Sequence, residues 1–184
     1  MSRRPFVFAN LTILFAAIIM STSFGASLVE TALHMTRYFA DPPASFSTWY
    51  GDQAHTIAFW IPLQLGALVL SVIALIANWR SPARRRLLLV GLATYVALIA
   101  WNIAYFAPEV RWLLRVAQGA SMPADFAARA HLWYVLTWVR QVVMAVPYFA
   151  LMLTLIVPFD AGVGASKFCA APRAAGSEPR LAEG

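Results

Sequence analysis

Four uninterrupted apolar runs decide what this chain folds into. They cover about residues 6–33, 56–78, 87–106 and 132–157, and a helix needs roughly 20 such residues to cross the hydrocarbon of a bilayer. None alternates with the period of two that marks an outer-membrane strand. Each is also too continuous for a soluble helix with one wet face. Composition agrees: of 184 residues, 61% are hydrophobic and only 12% charged, with a mean hydropathy of +0.67. A soluble domain carries about 25% charged residues, and one with so few would expose large apolar patches. The expected fold class is therefore all-α, an integral membrane four-helix bundle. Soluble globule, disordered chain and nucleic-acid-binding domain are excluded, so the net charge of +6 calls for a membrane explanation. The single cysteine, Cys169, rules out an intramolecular disulfide and a thiolate metal cage.

Prolines and basic residues punctuate the runs. Pro5 suits the start of the first helix, Pro108 the close of the third, Ser121 with Pro123 the start of the fourth, and Pro158 its end. Pro62 and Pro147 fall inside spans, where a membrane bundle tolerates them as kinks. Arg3, Arg4, Arg80, Arg84, Arg85, Arg86, Lys167, Arg173 and Arg180 lie on one side, against Arg37, Arg111, Arg115 and Arg129 on the other. This asymmetry predicts that both termini are cytoplasmic, in the inner (cell) membrane. The first run imitates a signal peptide through Met20, but its hydrophobicity resumes at Leu28, Val29 and Leu33, which predicts an uncleaved anchor. Residues 159–184, small, polar and proline-containing, read as a disordered cytoplasmic tail. The outer loops are longer than the inner one and predict a cap. Within it EVRWLLRVAQ is amphipathic, with Trp112, Leu113 and Val116 expected on the lipid interface and Arg111 and Arg115 in water.

The ionisable residues gather toward the outer end. His34 ends the first span, His55 begins the second and His131 begins the fourth. Glu30 is one turn before His34, and Asp52 lies just before His55. A glutamate and a histidine four residues apart point to one side of a helix. Three imidazoles with Glu30 and Asp52 form a candidate site for a transition metal, copper or iron foremost. Glu30 also lies within the last turns of an apolar span, where a carboxylate is costly and marks function. Arg140, the second intramembrane charge, lies about 14 Å deeper than His131 and costs roughly 2.5–3.5 kcal/mol to insert. It needs a partner, with Glu30 or Asn102 in reach. About nine residues separate it from His131, half a turn, so the two face opposite ways. Trp49, Tyr50, Trp101, Asn102, Tyr105, Tyr134 and Trp138, together with Trp60 and Trp133, are candidates for the wall of a hydrophobic substrate pocket.

The stretch FGASLVETAL…RYFADPPASF, followed by a basic inner loop and HLWYVLTWVRQ, resembles the anthrone-oxygenase-like family of small four-span membrane proteins. The matching positions are Gly25, Glu30, Phe39, Pro42, Pro43, Trp138 and Arg140, with a shorter Trp-to-Arg spacing than the family's. The resemblance covers the four spans and not the tail. It implies oxidation of polycyclic anthrones to quinones by dioxygen.

Two kinds of function follow as expectations. The first is a membrane oxidoreductase, an oxygenase acting on a small hydrophobic or aromatic substrate. Glu30 and Arg140 would be catalytic, and the chemistry would be either metal-assisted or cofactor-free. The alternative is a haem or quinone electron carrier, or a membrane subunit without catalysis. The partners expected are the lipid bilayer and a small hydrophobic molecule, with no nucleic acid; oligomeric state is not legible.

Overall fold

The computed structural model describes residues 4–119 and 122–159, with the side chains of residues 4, 5, 48 and 50–57 outside that description. Ser121 and the expected tail beyond Phe159 fall outside it as well. Helix α1 (Arg4–Val29) passes through a π-helical segment, π1 (Glu30–Met35), into the short α2 (Thr36–Tyr38). After a turn comes α3 (Phe46–Ala77). Helix α4 (Pro82–Trp101) passes through π2 (Asn102–Phe106) into α5 (Ala107–Ala117), and α6 (Phe126–Ile156) follows. Four stretches are long and apolar enough to cross a membrane: Phe6–Tyr38, Ala58–Ala77, Pro82–Ala117 and Phe126–Ile156. The protein is thus an all-α four-helix bundle of the multi-pass membrane type.

The helices close a ring in which α1 packs on α3 and α6, and α4 packs on the same two. Small residues allow this: Ala9, Ala16, Ala17, Ala67 and Ala74 are buried at the contacts. Without a hydrophobic drive between helices in lipid, such close backbone approach is the main source of packing energy. The tightest point is Gly91 of α4, where an added Cβ would lie 3.0 Å from the Ala150 Cβ of α6. The outward faces carry large apolar side chains such as Phe8, Phe15, Ile76 and Val142. A bilayer supplies their solvent. Pro62 and Pro147 sit inside continuous helices, as expected.

One end of the bundle is tied by Arg84. Its Nε donates to the Val157 carbonyl at 2.8 Å, and its Nη1 donates to Asn10 Oδ1 at 2.7 Å and Asn78 Oδ1 at 3.1 Å. Asn78 Nδ2 in turn donates to the Ala9 and Ala74 carbonyls. The first and last described turns of the bundle therefore meet at the basic α3–α4 turn.

The other end is capped. Met35, Tyr38, Phe46, Trp49, Phe106, Leu113, Leu114, Phe126 and Trp133 form a second buried cluster. Tyr38 stacks on Trp49 at 5.2 Å, and Phe39 stacks on Trp133 at 5.3 Å. The amphipathic segment differs from its sequence expectation in what it covers. Leu113 and Leu114 of α5 are buried in protein, and Trp112 packs toward Phe126 at 6.2 Å rather than lying on lipid. Arg111 and Arg115 are exposed, as expected. A bidentate pair holds α5 to α6: Arg129 Nε and Nη2 each reach a Glu109 oxygen at 2.6 Å, and the guanidinium lies 3.6 Å from the Trp112 ring centre.

Pro108 does not close the third span. The helix continues through it because π2 lies immediately upstream. A proline inside a helix removes one hydrogen bond and crowds the carbonyl four residues earlier, and the wider π turn relieves that crowding.

Candidate functional site: a charged cavity under the cap

A cavity of about 510 Å³ lies between the four helices beneath the cap. Its size is that of a small-molecule site. Glu30 reaches it from the first residue of π1, and Asn102 from the first residue of π2. Both π segments thus open on the cavity, and such segments occur often at functional sites because they free backbone groups and redirect side chains. Arg140 reaches it from mid-α6. Its Nη1 donates to Asn102 Oδ1 at 3.0 Å, and its guanidinium sits 4.6 Å from the Phe106 ring centre. Trp49, Trp60 and Trp133 wall the cavity with Met35 and Met144, and the exposed residues Ile61 and Arg111 are also part of the lining.

The two charges do not neutralise each other by contact. The ion pairs among the described residues are Arg129 with Glu109 and Arg129 with Asp125. Glu30 lies beside the Trp60 indole, within electrostatic reach of Arg140 but not bonded to it. The cavity thus holds a carboxylate and a guanidinium on separate walls, each with hydrogen-bonding capacity to spare. Asn102 has its carbonyl oxygen committed to Arg140, which turns its amide NH₂ into a second donor beside the cation.

A polar ladder runs below them. Gln141 Nε2 donates to the Ser27 carbonyl at 3.1 Å, to the Ser27 hydroxyl, and to Thr31 Oγ1 at 2.8 Å. Tyr95 donates to the Gln64 carbonyl at 3.3 Å. Ser23, Ser27, Gln64 and Gln141 all belong to the cavity wall.

Of the residues singled out from sequence, the structure brings Glu30, Arg140, Asn102 and Trp49 together. It places His34 and His131 elsewhere: both are exposed and neither lines the cavity. His131 is where the half-turn offset from Arg140 puts it. His34 stays within electrostatic reach of Glu30 but is exposed outside the cavity. Among the described residues no group of three His, Cys, Asp or Glu side chains is placed to hold a metal ion. The side chains of Tyr50, Asp52 and His55 fall outside the described residues. Trp101 and Tyr105 pack on Phe106 at 5.1 and 5.3 Å, behind the wall. Tyr134 stacks on Phe39 within the cap, and Trp138 is exposed on the lipid-facing side.

Sequence reasoning missed the ladder. Its signal was present: Ser23, Ser27, Glu30 and Thr31 share one helical face, as do Arg140, Gln141 and Met144. Comparison with family models, curated proteins and solved structures gives no match to this chain.

Proposed function

We propose that the cavity is the active site of a membrane oxidoreductase, an oxygenase that needs only dioxygen and the chain's own side chains. The observation that carries this reading is the placement of Glu30 and Arg140, not paired with each other, on separate walls of one apolar, aromatic-lined cavity. A base and an oxyanion holder in that relation suit a flat hydrophobic substrate with an acidic C–H next to a carbonyl or aromatic ring. Glu30 takes the proton. The resulting carbanion is held as its oxyanion by Arg140 and the Asn102 amide, and gives two electrons to dioxygen as the C–O bond forms. Glu30 returns the proton to the peroxide. Loss of the second C–H proton with cleavage of the O–O bond leaves a carbonyl, so the net change is CH₂ + O₂ → C=O + H₂O. Among the described residues, the donors facing the cavity are one carboxylate with amides and hydroxyls around a cation, a set that suits proton chemistry.

The same reading places both chain ends in the cytoplasm of a cell-membrane protein. Arg80, Arg84, Arg85 and Arg86 cluster at the bundle end where the first and last described turns meet, and basic residues collect on the cytoplasmic side. The cavity then opens toward the outer half of the bilayer.

The test is oxygen uptake and quinone absorbance with anthrone as the probe, on protein in lipid nanodiscs against empty nanodiscs. Wild type accelerates the reaction, and Glu30→Gln loses about 10²–10⁴-fold of that acceleration. A wild-type rate equal to that of empty nanodiscs, for anthrone and for a panel of related phenols and hydroquinones, rejects the oxygenase reading.

A further inference from the structure

The cavity lining carries a second cation, Arg111 of α5, which the oxygenase chemistry above does not use. Among the described lining residues, Arg111 and Ile61 of α3 are the exposed ones, and α3 and α5 are in contact. The cavity reaches the protein surface beside them. Ile61 is the fourth residue of the apolar stretch Ala58–Ala77, about 5 Å inside its end at the helical rise. The mouth thus sits at the edge of the apolar band rather than in open water. Arg111 has no counterion there. Its Nε donates to the Ala107 carbonyl of its own helix at 3.0 Å, which leaves both Nη groups unbonded. Glu109, two residues away, gives both oxygens to Arg129, and the charges that act on Glu30 are Arg140 and His34. Arg115, one turn further along α5, makes the same local bond, to the Arg111 carbonyl, and is also exposed, but it does not line the cavity. The charged groups among the described lining residues are therefore Glu30, Arg140 and Arg111, a net excess of one positive charge in an aromatic-walled space.

We infer that Arg111 is a carboxylate-reading residue at the cavity mouth, and that the ligand of this cavity is an aromatic acid. Its ring lies among Trp49, Trp60 and Trp133, and its carboxylate stays at the mouth on the free Nη groups. A guanidinium offers a carboxylate two parallel N–H bonds. The edge of the apolar band suits such a molecule, whose ring partitions into lipid while its charge stays near water. That the acid is also a substrate rests on the oxygenase reading above; the anion site rests on Arg111 alone.

Binding without turnover separates the two. The probes are anthracene-9-carboxylate, ionised at neutral pH, and its neutral carboxamide. Each is measured by equilibrium dialysis into zwitterionic nanodiscs under argon, with uptake by empty nanodiscs subtracted. Arg111→Gln lowers the acid-to-amide affinity ratio about fivefold, between the tenfold or more of a shielded charged hydrogen bond and the small yield of a fully exposed pair. Arg111→Lys keeps most of the ratio, and Arg115→Gln, which removes the same charge one turn away, leaves it unchanged. Arg111 is exposed and bonds only to its own helix, so these variants keep the fold. A wild-type protein that takes up no acid beyond empty nanodiscs overturns the inference. So does a ratio that Arg111→Gln leaves intact, or one that Arg115→Gln lowers equally, since surface charge in general would then account for it. Absence of anthrone oxidation with the Arg111-dependent ratio present counts against the oxygenase reading alone.

Discussion

Two glycine-to-alanine changes separate backbone propensity from helix packing in this bundle. Gly66 and Gly91 lie inside α3 and α4, and replacing either with alanine gains helix propensity, about 0.8–1.0 kcal/mol. Their surroundings differ. A Cβ at Gly66 meets only Ile19 Cγ2, at 4.0 Å, an ordinary contact. At Gly91 it meets Ala150 Cβ at 3.0 Å and Pro147 Cα at 3.5 Å. Carbon pairs rest at about 3.5–4.0 Å, so α4 and α6 must part by about 0.5 Å or more, and overpacking of this kind costs about 1–3 kcal/mol. Gly66→Ala is thus expected to stabilise by up to about 1 kcal/mol. Gly91→Ala runs from neutral to about 2 kcal/mol destabilising, a gap of about 1–3 kcal/mol between the variants. At about 2–4 °C per kcal/mol for a chain of this size, the Gly91→Ala midpoint falls roughly 2–12 °C below that of Gly66→Ala in the same detergent. The change also reaches the cavity, because Gly91 and Asn102 lie on one helix about 16 Å apart along its axis. Parting α4 from α6 at Gly91 strains the Asn102–Arg140 bond beyond it, so probe binding weakens with the lost stability. Equal midpoints for the two variants would refute close backbone contact between α4 and α6.

Three further outcomes follow from the geometry. Arg129→Gln removes the bidentate bond to Glu109 and the cation over Trp112; amide exchange across Ala107–Ala117 accelerates while exchange in α1 does not, and equal protection of α5 in both proteins refutes the latch. His34→Ala and His131→Ala, both exposed and outside the cavity, leave probe affinity within about twofold of wild type, since surface substitutions typically change free energies by about 0.5 kcal/mol or less; a tenfold loss in either would return the histidines to the site. Arg84→Leu strips partners from the Val157 carbonyl, Asn10 and Asn78 at once. At about 1–3 kcal/mol for each acceptor left buried and unserved, it lowers the unfolding midpoint further than Gly91→Ala, and a smaller shift than Gly91→Ala's counts against the tie.

The spans were legible in sequence because burying some twenty apolar residues in lipid leaves no other choice. Their ends were not. Residues 34–38, 46–55 and 126–131 carry His34, Arg37, Trp49, Asp52, His55, Arg129 and His131, and hydropathy reads such mixtures as loop. In the fold α1–α2, α3 and α6 continue through them, because the cap's aromatic cluster buries one side of each helix. This is also why His34 and His131 misled. Their position at the apparent span ends suggested one common level, but on longer helices rotation decides which way a side chain faces, and His34 and His131 face out. Glu30, Asn102 and Arg140 were legible for the opposite reason. Polar groups deep in an apolar run face protein whatever the rotation, since lipid offers them no partner.

The rotation of α1 was also written in the chain, in a spacing. Its buried positions begin with Ala9, Ile13, Ala16, Met20 and Ser23, steps of four and three that follow an α-helix. From Ser23 the inward positions are Ser27, Thr31 and Met35, three steps of four. In an α-helix each step of four overshoots by about 40°, so three in succession would carry Met35 about 120° off the face and into lipid. Met35 is nevertheless buried, at 4% exposure, and so is Thr31. The wider turn of π1 absorbs the drift, and it does so over Glu30–Met35, where the apolar wall gives way to the carboxylate. An unbroken run of small or polar residues four apart near the end of a membrane span therefore predicts a π segment. Here the segment keeps Met35 inward one turn beyond Glu30, while His34 is exposed outside the cavity. Deleting Ala32 would bring Met35 to the same face by α-helical steps of four and three, so the variant is expected to keep the cap packed, with amide protection across residues 34–38 matching wild type. Loss of that protection would refute the account of π1 as a correction of drift.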